Sequence, residues 1–376
     1  MLREDIDDPA RRTLTRTAQL LGALRLDGPL LIGLSLIALC GQIVLYSSSG
    51  GDWGAIGRGT MRLILGVVLM LFLAQMRPSS LRRIAPWLFG VGLLLLIIVD
   101  AIGYIGKGAQ RWLDLGFVRF QPSEIMKLAV PMTCAWWLHE RPLPPDARSL
   151  TVLGALILIP TALVIVQPDL GTGLLILAAG AIVVLFAGLS WRLISAAGVA
   201  AIVAGWVGWR FLHDYQRERV LTFLDPSTDP LGSGYHIIQS TIAIGSGGLF
   251  GKGYLRGTQG QLEFLPERST DFVFAVVGEE FGLFGTLLVL GLYLFVVYRS
   301  LFLAAQMRET FSRLFAASIG AVFFVYVFIN AGMVSGLLPV VGVPLPLISY
   351  GGTSMVTLLA SFGMLMSLYA NRKLAA

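Results

Sequence analysis

Charge is scarce in this chain of 376 residues: Asp, Glu, Lys and Arg together make up 13% of it, and 56% is hydrophobic. A soluble domain carries roughly a quarter charged residues, so a water-facing surface is excluded for most of the chain. Cysteine is nearly absent. Cys40 and Cys134 both fall inside apolar runs, which excludes a disulfide framework and leaves them as small packing residues. The three histidines, His139, His213 and His236, share no ligand spacing, so an imidazole-based metal centre is not expected. No small-residue cleavage site follows the first apolar run, which predicts a retained first span and a cytoplasmic tail over 1–28. No internal repeat marks two inverted halves, which counts against a secondary transporter. The glycine-rich run Gly245–Gly253 is not a nucleotide loop either. Ser246 stands where such a loop needs Gly, and Gly253 where it needs Ser or Thr.

What the chain does have is long apolar runs, each near the ~20 residues that a bilayer requires. They predict an all-α polytopic integral membrane protein with spans at roughly 29–47, 60–76, 84–99, 122–138, 150–166, 171–188, 192–212, 271–297, 314–336 and 349–370. This makes about ten transmembrane helices in a single domain, 29–370, with one long extracytoplasmic loop, 213–270, between spans seven and eight, and a cytoplasmic tail at 371–376. Ten spans put both termini on one side. Of the twenty-eight Lys and Arg residues, sixteen fall on the side of the termini and seven in the short gaps of the other side. The positive-inside bias therefore places the termini in the cytoplasm. The long loop is then expected on the outer face of the membrane.

Four polar groups of residues then gather on that outer side. The first runs from Lys107 and Arg111 to Gln121-Pro122-Ser123-Glu124 and Lys127. Pro122 starts a helix, Glu124 suits its first turn, and Glu124 and Lys127, three apart, share a face. This is either an ion pair neutralising two charges at the bilayer edge, or part of a cationic cradle in which Lys107, Arg111 and Lys127 hold an anionic head group. The second is Gln167-Pro168-Asp169, where Asp169 either caps the next helix or ties down one of those cations. The third is the long loop with Arg219 and the Gly245–Gly253 run, whose glycines are expected to bend an interfacial segment and offer backbone N–H groups to phosphate; Lys252 lies there.

The fourth is Glu267-Arg268-Ser269-Thr270-Asp271, which drives an acid into the mouth of a span. A carboxylate there is expensive and reads as functional. If the helix starts near Asp271, Glu279 lies about 12 Å deeper at 1.5 Å per residue. Glu279 and Glu280 are expected to pair with polar groups of neighbouring spans such as Asn330. An acid opposite Lys and Arg suggests a general base facing an anionic leaving group. Desolvation would raise the pKa of such an acid towards working pH, and nearby cations would lower it.

At these residues the chain resembles the SEDS (shape, elongation, division and sporulation) family over about 30–370, and its elongation branch more than its division branch. The resemblance rests on Lys107–Leu113, Gln121–Lys127, Gln167–Thr172, Gly234–Lys252, Gln261–Glu280 and Pro339–Ser354. It implies a peptidoglycan glycosyltransferase that polymerises lipid II during cell elongation. Asp271 matches the family's loop acid and would deprotonate the acceptor hydroxyl. Arg111 and Lys127, then Lys107 and Arg219, with Glu124 beside them, would hold the departing diphosphate; Asp169, Glu267, Arg268, Thr270 and Lys252 would support the site. A divalent cation, Mg2+ or Mn2+, could share that task. The implied partner is a class B penicillin-binding protein carrying the transpeptidase. Ser269 departs from the His that elongation members often carry. The alternatives are a lipid II flippase, which would line a path with charge on both membrane sides, and a scaffold for the transpeptidase, in which Asp271 would be dispensable.

Overall fold

The computed structural model describes residues 22, 24–106, 109–114, 119–210, 217, 221–226, 233–262, 264–265 and 267–372. Lys107 and Arg219, two of the expected head-group cations, lie outside the described residues. The helices are Gly28–Ser48 (α1), Trp53–Ala74 (α2), Pro78–Ile102 (α3), Pro122–Leu138 (α4), Ala147–Val166 (α5), Leu170–Phe186 (α6) and Trp191–Gly208 (α7). They continue with Ser233–Gly247 (α8), Thr258–Gln261 (α9), Val273–Ala305 (α10), Thr310–Val334 (α11) and Thr353–Ala370 (α12). Among the described residues, eight helices are long and apolar enough to cross a membrane. The 17-residue α6 and the 17-residue α4, which carries Glu124 and Lys127, fill the two remaining expected positions. All ten expected spans thus have a helix. The helices α2 and α3 begin seven and six residues earlier than expected, because Arg58 in α2 and Arg82 and Arg83 in α3 interrupt the apolar stretch near the helix start.

Local chemistry starts these helices. Asp27 caps α1 by accepting from Leu30 N at 3.0 Å, and Arg299 of α10 holds the same carboxylate at 2.7 Å. Ser190 and Asp146 cap α7 and α5 in the same way. α11 and α12 form the centre of the bundle, with 61% and 67% of their apolar windows buried, whereas α7 has none of its window buried. Lipid is as apolar as Leu, so packing rather than water exclusion holds such helices together. At α2–α12 the approach is close enough that a Cβ on Gly363 would stand 2.3 Å from the Met70 carbonyl oxygen. The ion pairs Asp27–Arg299 and Arg82–Glu309 tie one end of the bundle, the end where α1 begins.

At the opposite end, the connection after α3 folds into a small antiparallel sheet, Tyr104–Gly106 (β1), Ala109–Asp114 (β2) and Arg119–Phe120 (β3), in the order β1-β2-β3. Its register pairs Tyr104 with Trp112 and Leu113 with Phe120. The expected long loop is also structured in part, since α8 packs along α10 and α9 follows it.

α10 is broken at Gly282, whose φ of 65° and ψ of −160° interrupt the helix. The break removes the partners of the Glu279 and Glu280 carbonyls and of the Leu283 and Phe284 N–H groups, and in lipid each unsatisfied group would cost several kcal/mol. The segment after α8 replaces all four bonds. Lys252 N donates to Glu279 O and Gly253 N to Glu280 O, both at 3.0 Å; Leu283 N donates to Gly248 O at 2.9 Å and Phe284 N to Leu249 O at 3.1 Å. This corrects the expected role of the Gly245–Gly253 run. Its N–H groups serve the broken helix rather than a phosphate, and its glycines permit contact: a Cβ on Gly251 would stand 2.1 Å from the Glu280 carbonyl oxygen.

Candidate active site

Asp271 lies in a turn just before α10, whose first helical residue is Val273 and not Asp271 as expected. Within that turn Thr270 N donates to Glu267 O at 3.0 Å and the Thr270 hydroxyl to Glu267 Oε2 at 2.8 Å. Glu267 itself sits at a φ of 52°, a left-handed conformation that the surrounding bonds must hold. The irregular segment between α11 and α12 clamps the turn from the other side. Asn330 Nδ2 donates to Asp271 O at 2.8 Å and to Val343 O at 2.7 Å; Ser349 Oγ donates to Thr270 O at 2.5 Å and accepts from Leu345 N at 2.7 Å; Tyr350 N donates to Ser269 O at 2.7 Å. Three bonds, to the consecutive carbonyls of Ser269, Thr270 and Asp271, thus fix the main chain that carries the acid. Its half-buried side chain places Oδ2 next to Gly342.

The turn forms one wall of a cavity of about 250 Å3 at the end of the bundle remote from the Asp27–Arg299 pair. The opposing walls carry Arg111, Gln121, Glu124, Lys127 and Asp169. The carboxylate of Asp169 fills both roles expected of it: it caps α6 through Thr172 N at 3.2 Å and meets Arg111 Nη1 at 3.7 Å, while Gln121 Nε2 donates to it at 3.1 Å. Arg111 also donates from Nε to Gln167 O at 3.3 Å and from Nη2 to Pro168 O, so the β-sheet is fastened over the α5–α6 turn. Lys127 and Glu124 form a buried pair at 2.6 Å, the ion-pair reading of that spacing, and Lys127 Nζ stands 5.3 Å from the centre of the Tyr326 ring. Lys127 still lines the cavity, with ammonium hydrogens beyond the one given to Glu124.

Two expectations change in their partners. Glu279 and Glu280 do bond polar groups of other segments, but not Asn330. Glu279 accepts from Lys252 Nζ at 2.8 Å, Thr258 Oγ1 at 3.1 Å, Gln259 N at 2.9 Å and Gly260 N at 3.2 Å, and Glu280 takes a 2.5 Å bond from Ser47. Asn330 is spent on the Asp271 turn instead. Lys252 therefore belongs to the Glu279 group and not to the cavity wall. Arg268 has the supporting role expected of it: it donates to Ser48 O at 2.7 Å and to Gly260 O, and so braces the turn against the end of α1.

Sequence reasoning gave Asn330 a different partner and assigned no role to Tyr350 or to the Gly342–Pro344 and Gly351–Ser354 stretches, although Tyr350 and both stretches line the cavity. The available signal was the Pro339–Ser354 run, rich in Pro and Gly and set between two apolar helices. Non-helical chain at membrane depth is tolerated where it lines a polar cavity.

The comparisons with known proteins agree with this geometry. The family model for the FtsW, RodA and SpoVE cell cycle proteins matches residues 28–374. The peptidoglycan glycosyltransferase MrdB of Escherichia coli K12 is 51% identical over 350 residues, covering 93% of this chain and 95% of MrdB. The peptidoglycan glycosyltransferase RodA of Treponema pallidum is 32% identical, covering 92% and 98%. Among solved structures, a chain of a peptidoglycan synthase complex that coordinates polymerization and crosslinking superposes with a TM-score of 0.80 at 36% identity, covering 92% of this chain and 98% of its own. The rod shape determining protein RodA of Thermus thermophilus superposes at 0.71 with 30% identity, covering 92% and 97%. Matched from its first span to its last, this chain belongs to the FtsW/RodA/SpoVE family, the SEDS proteins.

Proposed function

We propose that this protein is a peptidoglycan glycosyltransferase that polymerises lipid II, with Asp271 as the general base. The observation that carries the reading is the position of Asp271: an acid on a main chain fixed by three bonds to consecutive carbonyls, at the wall of a polar cavity that also holds two cations. Asp271 takes the proton of the 4-hydroxyl of the acceptor GlcNAc as that oxygen attacks the anomeric carbon of the donor MurNAc. The anomeric bond to undecaprenyl diphosphate breaks, the diphosphate leaves with the electron pair, and attack from the opposite face turns an α-linked donor into a β-1,4 glycan. Arg111 and Lys127 stabilise the charge that develops on the leaving group. General base catalysis of this kind contributes about 10²–10⁴-fold in rate.

Among the described residues, no group of three or more His, Cys, Asp or Glu side chains could hold a metal ion. If a divalent cation takes part, Asp271 is the cavity carboxylate that would hold it, and the ion would help to neutralise the charge of the departing diphosphate. The positive-inside distribution supports cytoplasmic termini and a cavity that opens on the outer face of the cytoplasmic membrane. The likeness to a synthase complex that couples polymerization to crosslinking supports a class B penicillin-binding protein as partner.

The direct test is purified full-length protein with lipid II. Wild type yields moenomycin-insensitive glycan strands, and Asp271→Asn, folded to the same melting temperature, yields none. Strand synthesis by the Asn variant at the normal rate would remove Asp271 from the base role.

A further inference from the structure

The reaction proposed above joins two molecules that each carry a lipid-linked diphosphate, and only one is released. Arg111 and Lys127, which already neutralise Asp169 and Glu124, supply one cationic wall. A second basic pair stands on a different helix. Arg58 and Arg62 lie one turn apart on α2 and converge on one aromatic ring. Arg58 Nε donates to the Tyr350 hydroxyl at 3.1 Å, and the Arg62 guanidinium carbon stands 4.4 Å from the centre of the same ring. Tyr350 lines the cavity, and its own N–H bonds Ser269, two residues before Asp271.

Their charge is poorly balanced by protein. Arg58 meets Asp52 at 3.4 Å, but both side chains are more than half exposed, a setting in which an ion pair contributes little. Arg62 is half-buried, and among the described residues it meets no carboxylate within ion-pair distance. A guanidinium without a counter-ion, ten residues into α2, is costly in a membrane span, and its planar fork matches phosphate oxygens.

We propose that Arg62, with Arg58 and Tyr350, forms a second phosphate subsite that holds the diphosphate of the second lipid-linked substrate. This rests on the polymerase reading, which requires two such substrates at once. The shared chemistry is a lipid-borne phosphate, whose sources are the substrate and the surrounding anionic phospholipid. Tyr350 couples the subsite to the reaction, because the residue that anchors Arg58 is bonded to the turn carrying Asp271.

The test counts undecaprenyl diphosphate bound to the full-length protein in phosphatidylcholine nanodiscs by native mass spectrometry. Wild type is expected to hold two molecules per chain, and Arg62→Gln and Arg111→Gln one each, at unchanged melting temperatures. One molecule on wild type, or two on Arg62→Gln, would overturn the subsite. Replacing phosphatidylcholine with phosphatidylglycerol should leave two bound; loss of one would assign the site to bulk phospholipid and overturn the substrate role. Arg62→Lys, which keeps the charge and loses the fork, guards against a misfolded Gln variant: it should raise the KM for lipid II roughly tenfold with kcat nearly unchanged. A fall in kcat at constant KM would count against the proposal. Binding of undecaprenyl diphosphate needs no general base, so an active Asp271→Asn protein would refute the base and leave this count untouched.

Discussion

Asp271 and Glu279 are carboxylates eight residues apart at the same end of the molecule, and their surroundings are opposite. Glu279 is fully buried and takes four bonds, from Lys252, Thr258 and two backbone N–H groups at the start of α9. It closes the loop against the broken part of α10. At Asp271 the fixing bonds fall on the main chain, through Asn330 on its own carbonyl and Ser349 and Tyr350 on its neighbours, while the half-buried carboxylate lines a cavity large enough for a sugar. A buried acid whose oxygens are saturated by protein is a structural element. An acid whose backbone is held and whose side chain lines a polar cavity is placed to react.

The largest expected effect separates the two directly. Asp271→Asn should lower glycan synthesis by about 10²–10⁴-fold with no change in melting temperature, whereas Glu279→Ala should do the reverse. Glu279→Ala leaves two N–H groups without an acceptor and the Lys252 ammonium with only the Thr258 hydroxyl at 2.7 Å. It should destabilise the protein by about 2–4 kcal/mol, a value held down because Lys252 is partly exposed. Turnover per folded molecule should stay within about tenfold of wild type; a hundredfold loss at unchanged stability would erase the distinction.

A smaller effect sharpens it. Asn330→Leu removes the donor shared by Asp271 O and Val343 O and should cost about 1–3 kcal/mol. It should also lower kcat by about tenfold at constant KM through misplacement of the base, so a change in KM alone would point to substrate binding instead.

The smallest effect comes from Asp146, an exposed acid with only a capping task on α5. Its bonds to Ser149 hold its pKa below the usual carboxylate value. A lowered folded pKa contributes stability that is present above the unfolded value of about 3.9 and lost as pH falls through the folded value. Asp146→Ala should therefore lower the melting temperature slightly at neutral pH, and the gap to wild type should close in acid, with activity untouched at every pH.

The legible parts of this molecule were those set by neighbours in sequence. Ten helices stand where apolar runs predicted them, and their errors are confined to the ends, where Arg58 in α2 and Arg82 and Arg83 in α3 interrupt the apolar stretch. Lys127 and Glu124 were recognisable as a pair because three residues of helix bring them together. Asp169 was recognisable as a cap because its partner, Thr172, is three residues away. The Gly245–Gly253 run was visible but misread, because its partners lie across the break in α10, some thirty residues on.

The sequence alone determined the membrane class, the number and order of the spans and the acid worth testing. Hydrophobicity over some twenty residues, and the cost of a charge within it, are properties of contiguous chain. Only the tertiary structure decided which charge meets which. Asn330 went to the Asp271 turn and not to Glu279, Lys252 went to Glu279 and not to the cavity, and Arg58 and Arg62 met on Tyr350, nearly three hundred residues away. A buried charge is neutralised by whatever packing brings within a few ångströms, and packing of distant segments leaves no periodic trace in the chain.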